Sequence, residues 1–205
     1  MLKPYKSTVI RRCRILTIVL TAALALVHAL PSVILPLKAE KTANQKAKVQ
    51  QGTIDILRDP SSLPPEVERM RRAILGAALS GDIDAMRIPV EMNEIPPMLA
   101  ETKVADPIAH WKTISGDGEG REILAICIQL FRTGFVRKDG ATPDELYIWP
   151  YFAETPIDKL SPAQEVELLT LVSPDRFKAM KASGRYDHYR IGIAHDGTWH
   201  FFLSH

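Results

Sequence analysis

The sequence predicts an α+β protein: a small antiparallel sheet, made of a C-terminal hairpin plus an aromatic strand, packed with helices. Three observations carry that expectation. The run from Leu146 to Phe152 places four aromatic rings in seven residues of a chain that is 7% aromatic. Within it, Leu146, Ile148 and Pro150 alternate with Tyr147, Trp149 and Tyr151, which is the period of a strand. Asp196 and Gly197 stand between two apolar runs, Tyr189 to Ala194 and Thr198 to Leu203, the signature of a two-residue hairpin turn. Third, Arg121 to Arg132 carries Ile123, Leu124, Cys127, Leu130 and Phe131 on one helical face.

Taken in order, the chain opens with Lys3, Lys6, Arg11, Arg12 and Arg14 ahead of an uncharged run from Ile15 to Leu37. A positive segment, an apolar segment and a small-x-small site form the layout of a signal peptide. Val27, His28 and Ala29 fit the site best, with Leu37, Lys38 and Ala39 second. The competing reading is an uncleaved anchor, since the run is long enough to cross a bilayer. Pro31 and Pro36 shorten its helix and favour cleavage. In both readings the body lies outside the cytoplasm, because the positive end stays inside. The expected location is the periplasm, with the membrane touched only through the N-terminal segment if it stays uncleaved. Expected organisation is a signal peptide over 1–29, a polar linker over 30–62 and a single globular α+β domain over 63–205.

Composition narrows the function. The net charge of +2 includes six basic residues and no acid within the first 39; without them the remainder carries −4. A mildly acidic body gives no footing for nucleic acid. Cys13 precedes the apolar segment and Cys127 is the only other cysteine, so the exported body is expected to hold together without an internal disulfide.

Asp59 to Pro65 punctuates the end of the linker. A helix near 65–78 follows, with Val67, Met70, Ile74 and Ala77 on one face. Gly81 is placed to stop it and Asp82 to cap a short turn through Met86. Residues 88–105 read as irregular because of Pro89, Pro96 and Pro97. Asp106 and Pro107 open a helix to about Ile114, with Ile108 and Trp111 facing inward. Ser115 to Gly120 is glycine-rich, yet Asp117 and Glu119 would repel a phosphate, so it reads as a connector. After the apolar helix, Phe135 to Arg137 reads as a short strand turned at Asp139 and Gly140. Thr142 to Glu145 reads as a turn into the aromatic strand. Ser161, Pro162 and Gln164 form a capping box for a helix through Val172, burying some of Val166, Leu168, Leu169 and Val172. Ser173 and Pro174 open a second helix, with Phe177 and Met180 inward and Gly184 at its stop. The hairpin turn predicts His195 opposite Thr198, Ile193 opposite His200, Ile191 opposite Phe202 and His188 opposite His205. Neither hairpin face is plainly polar, so both are expected to be covered.

The combination of Trp149-Pro150-Tyr151-Phe152-Ala153, the helix from Pro162, and Tyr189-Arg190-Ile191-Gly192-Ile193 with Asp196-Gly197-Thr198-Trp199-His200-Phe201-Phe202 resembles a group of short exported proteins of Gram-negative bacteria. The resemblance covers less than half of the chain, from about Gly120 onward. It implies export and supplies no catalytic residues.

Candidate chemistry comes from four residue sets. His188 and His205, as cross-strand neighbours, would be close enough to share a metal, but no established ligand spacing accompanies them, so no metal and no cofactor is expected. Cys127 reads as a small buried hydrophobe rather than a nucleophile paired with His110. Asp144, Glu145, Glu154 and Asp158 flank the aromatic strand and read first as isolated surface acids; paired acids beside rings, as used in glycan cleavage, are the alternative. The rings of Trp149, Tyr151 and Trp199 read first as core; if exposed, they form with Glu154 the candidate binding surface. The expected function is a non-enzymatic envelope module binding a protein or cell-wall component. The alternative is a small periplasmic hydrolase of wall glycan or peptide using Glu154 or the C-terminal histidines.

Overall fold

The computed structural model describes residues 55–204. The expected signal peptide and most of the expected linker lie outside the described residues, as does His205. The fold is α+β, as the sequence predicts. Five strands, β1 (Ile56–Leu57), β2 (Phe135–Lys138), β3 (Leu146–Trp149), β4 (Arg190–Ala194) and β5 (Trp199–Leu203), form one antiparallel sheet in sequential order. Six α-helices accompany it: α1 (Pro65–Leu79), α2 (Arg87–Glu91), α3 (Pro107–Ile114), α4 (Arg121–Arg132), α5 (Pro162–Leu168) and α6 (Pro174–Ser183). Among the described residues, no helix is long and apolar enough to cross a membrane.

The helix starts follow local chemistry. Asp106 accepts from the amides of Ile108 and Ala109 at the head of α3, and Pro107 takes the first helical position, where no amide hydrogen is needed. Ser161 and Gln164 close the expected capping box on α5. Gly184 ends α6 with a left-handed backbone, φ 71°.

Two boundaries differ from the sequence reading. Ordered structure starts before 63, because Ile56 and Leu57 pair with Val136 and Phe135 at the sheet edge. Two residues are too few to show a period, so this strand leaves no pattern in the sequence. Helix α2 occupies part of the stretch read as irregular; Pro89 sits in its first turn, where its missing amide hydrogen breaks no bond. Further on, α5 stops at Leu168, so Val166 and Leu169 are exposed while Leu168, Leu171 and Val172 are buried.

The sheet divides the molecule. One face carries Phe135, Tyr147, Trp149, Ile191, Ile193, Trp199 and Phe202, all buried. Trp111 of α3 stacks on Trp199 at 6.1 Å, and Phe131 of α4 meets Trp149 edge-on at 5.3 Å. With Val67, Met70 and Ile74 of α1, these side chains form the core. The other face carries Val136, Lys138, Leu146, Ile148, Arg190, Gly192, Ala194, Phe201 and Leu203.

A bulge between Gly192 and Ile193 corrects the predicted hairpin register. Ile191 does pair with Phe202, but Ile193 pairs with Trp199 rather than His200. The extra residue rotates Trp199 inward to Trp111 and leaves His200 exposed. The free edge of β5 is met by Met98, whose amide donates to the carbonyl of His200 and whose carbonyl accepts from Phe202, both at 2.9 Å.

Candidate functional site

Three of the four residues expected to form a binding surface, Trp149, Tyr151 and Trp199, are buried to 1% exposure or less. Their rings belong to the core, the reading the sequence favours over an exposed patch. The fourth, Glu154, lines a cavity and pairs with Lys138 of β2 at 3.1 Å. Cys127 is wholly buried in α4, and burial pushes its thiol far above its ordinary value, so it is a poor nucleophile. Among the described residues, no group of three or more His, Cys, Asp or Glu is placed to hold a metal ion.

Polar chemistry gathers at two places instead. The first is Glu145, just before β3, buried to 3% exposure. One carboxylate oxygen accepts from Arg137 Nη2 at 2.6 Å and from the Ala141 amide at 2.8 Å. The other accepts from the Tyr147 hydroxyl at 2.6 Å and lies 3.0 Å from His195 Nδ1. An ionised carboxylate only accepts, so Nδ1 carries the proton. Arg137 above all, then Tyr147 and the Ala141 amide, hold the Glu145 carboxyl far below the usual carboxylate range. Burial, and then the bond to Glu145, push the Tyr147 hydroxyl up to about 12.

This knot ties three parts of the chain. The turn from Asp139 to Thr142 holds two non-glycine residues in left-handed conformation, Asp139 at φ 53° and Ala141 at φ 65°. The Ala141 amide aimed at Glu145 helps to fix that turn. His195 joins the β4–β5 turn to it, both through its ring and through its amide on the Glu145 carbonyl at 3.1 Å. A cavity of about 520 Å³ opens beside Thr142, His195 and His200.

The second place is Arg190, at the start of β4 on the opposite face of the sheet. Its guanidinium lies over the Phe201 ring, 5.4 Å from the centroid. Phe201 lies directly on Gly192, where any Cβ would collide with the ring. Gly192, Phe201 and Arg190 therefore form a stack that only glycine at its base permits. Within it, Arg190 Nε is buried and has no hydrogen-bond partner. Arg190 also makes no ion pair among the described residues. Burial pulls its guanidinium below the ordinary value, partly offset by Glu154.

Arg190 lines two cavities. One, of about 710 Å³, lies between the 3-10 turn Tyr151–Glu154 and the end of α6, and is walled by Glu154, Ser183, Arg185, Tyr186 and Asp187. Its two acids already have cations: Glu154 has Lys138, and Asp187 has Arg176 at 3.3 Å. Arg185 and Arg190 have no acid among the described residues, so the cavity keeps an unmatched positive charge. The other cavity, of about 610 Å³, is walled by Met98, Leu99, Ile114, Tyr189 and Leu203.

His188 lies near this region, its ring edge-on to Tyr189 at 5.4 Å. Its Nδ1 is also buried without a partner, and burial, with Arg176, lowers the imidazole to about 4. Its expected partner His205 lies outside the described residues.

Reading the sequence put Glu145 only among flanking acids, because the knot depends on the register that brings Arg137, Tyr147 and His195 together. Arg190 shares a hairpin face with Phe201, but a single arginine in a strand carries no sequence sign of being unpaired. Compared with known proteins, the chain matches no family model, and no curated protein and no solved structure matches it.

Proposed function

We propose that this chain is an exported envelope protein whose body works by binding a ligand that carries a negative charge, taken up at Arg190. One observation carries the reading: a guanidinium with a buried, unpartnered Nε stands at the wall of two cavities. An unpaired buried donor is costly, about 1–3 kcal/mol. A ligand carboxylate or phosphate entering either cavity would give this guanidinium the anionic partner it lacks among the described residues, and arginine matches such oxygens in a planar fork. Arg185 in the same cavity adds a second unmatched charge. The export expectation rests on the basic and apolar segments of residues 1–37.

The test is NMR observation of the Arg190 Nε–H resonance during titration with inorganic phosphate. The reading expects a saturable shift that vanishes in Arg190→Gln. A resonance that does not respond, or an equal response in a distant arginine, contradicts it.

A second reading, a small periplasmic hydrolase of wall glycan or peptide, is favoured by the Glu145–His195 pair. A carboxylate that fixes the Nδ1 proton of an exposed imidazole leaves the other ring nitrogen to exchange protons. That reading expects His195→Ala to abolish cleavage of peptidoglycan fragments. Unchanged cleavage, or none by the unaltered protein, removes it.

A further inference from the structure

We infer that the ligand held by Arg190 is an amphiphilic anion, a single carboxylate or phosphate head on an alkyl chain, taken up as a dissolved monomer. This rests on the anion-binding reading above and adds what the rest of the ligand must be.

Exposed apolar side chains scattered singly are ordinary on a protein surface. Here two of them wall the same cavity: Met98 is 50% exposed and Ile114 is 43% exposed. Buried Leu99 and Leu203 continue the wall, and the Tyr189 ring lies beside them. Ala100, Glu101, His110 and Ser204 complete the lining with Arg190, so its apolar part is bounded.

Their positions follow from the fold. Met98 is held at the β5 edge by its two backbone bonds, so it cannot turn away with its strand-like segment. Ile114 is the last residue of α3, whose inner face is anchored by Trp111 in the core. The apolar wall is thus built on fixed elements rather than on a loose loop. Arg190 is the residue common to this wall and to the more polar cavity with Ser183 and Arg185. An anionic head on Arg190 leaves a chain attached to it next to Met98, Ile114 and Leu203. Covering those side chains removes apolar surface from water, which a bare anion would not do. A cation with the same chain would meet an unpaired guanidinium and be repelled.

Isothermal titration with butanoate, hexanoate and octanoate, on the protein recovered from the envelope fraction, tests this. Octylamine, octanol and inorganic phosphate serve as comparison ligands. Affinity is expected to rise about twofold to fourfold per added methylene, following the transfer free energy of a buried methylene. Octanoate should bind at least tenfold tighter than octanol, and octylamine should not bind. Ile114→Gln, a neutral change at a half-exposed position where folding is not at stake, should weaken octanoate severalfold and leave phosphate unchanged. Arg190→Gln should remove both.

The ways to fail are separable. Phosphate binding through Arg190 with no dependence on chain length overturns the amphiphile and leaves the anion site standing. Equal binding of octanoate and octanol, unaffected by Arg190→Gln, overturns the inference and the anion site together, as does binding of nothing. Vesicles of phosphatidylglycerol that retain the protein through Arg190, when phosphatidylcholine vesicles do not and octanoate does not bind, would place the head in a bilayer and overturn uptake of a dissolved monomer.

Discussion

Arg137 and Arg190 lie on opposite faces of one five-stranded sheet, and they meet opposite fates. Arg137 reaches the buried Glu145 at 2.6 Å and joins a carboxylate that also takes a tyrosine hydroxyl, an amide and an imidazole. Arg190 lies over Phe201 with Nε buried and no acceptor among the described residues. One guanidinium is committed to holding a turn and a hairpin in register. The other is held in position but left unsatisfied. The difference teaches where to look for function: a saturated polar cluster stabilises, whereas an unsatisfied charge beside a cavity implies a ligand.

The largest expected effect is at the saturated cluster. Glu145→Ala strands the buried Tyr147 hydroxyl and the Ala141 amide and releases Arg137. Chemical denaturation at pH 7 should show a loss of about 2–4 kcal/mol. The same carboxyl fixes a sign with pH. Its folded value is depressed, so its contribution is full above the unfolded carboxylate value of about 4.3 and is lost as pH falls below it. Unaltered protein should therefore weaken below about pH 5, and Glu145→Ala should lose part of that acid dependence.

His188 sharpens the other side of the comparison. Its folded value, about 4 against an ordinary 6.5, means that the unfolded chain takes up the proton first. Stability tied to this group is full above pH 6.5 and falls as pH drops toward about 4, by about 2–3 kcal/mol. In His188→Phe, denaturation midpoints compared at pH 7 and pH 4.5 should differ less than in the unaltered protein. An unchanged pH slope would remove His188 from that role.

Gly192→Ala attacks the base of the Arg190 stack. The added methyl must displace the Phe201 ring, at a cost of about 1–3 kcal/mol, and should weaken anion binding with it. Intact phosphate binding with the ring displaced would show that the stack does not position Arg190. A small effect of opposite sign is expected from Ala141→Gly, which relieves a left-handed alanine and should stabilise by up to about 1 kcal/mol.

Much of the fold was legible because it depends on local rules. Asp106-Pro107, Ser161-Pro162 and Gly184 each mark a helix end through one side chain or one backbone freedom. The apolar stripes of α1 and α4 are long enough to show their period. What escaped depends on pairing across the chain. Strand β1 has two residues and is recognised only by its partner β2. The bulge at Gly192 and Ile193 turned Trp199 inward against the register that the turn alone dictates. The same limit applies to the site. Aromatic residues could be read as surface or core from their spacing, and only their packing, Trp199 on Trp111, Trp149 on Phe131 and Tyr151 on Phe152, places them inside. Glu145 and Arg190 looked like ordinary charged residues until the register showed which had partners.

The most direct measurement compares Arg137→Gln and Arg190→Gln by chemical denaturation at pH 7 in the absence of ligand. Removing the committed guanidinium should lower stability measurably, because it leaves the buried Glu145 without its strongest partner. Removing the unsatisfied one should change stability by less than about 0.5 kcal/mol, since the lost contact with Phe201 is offset by relief of a buried unpaired donor. A loss at Arg190 equal to or larger than that at Arg137 would contradict the account, making Arg190 part of the framework rather than a group held for a ligand.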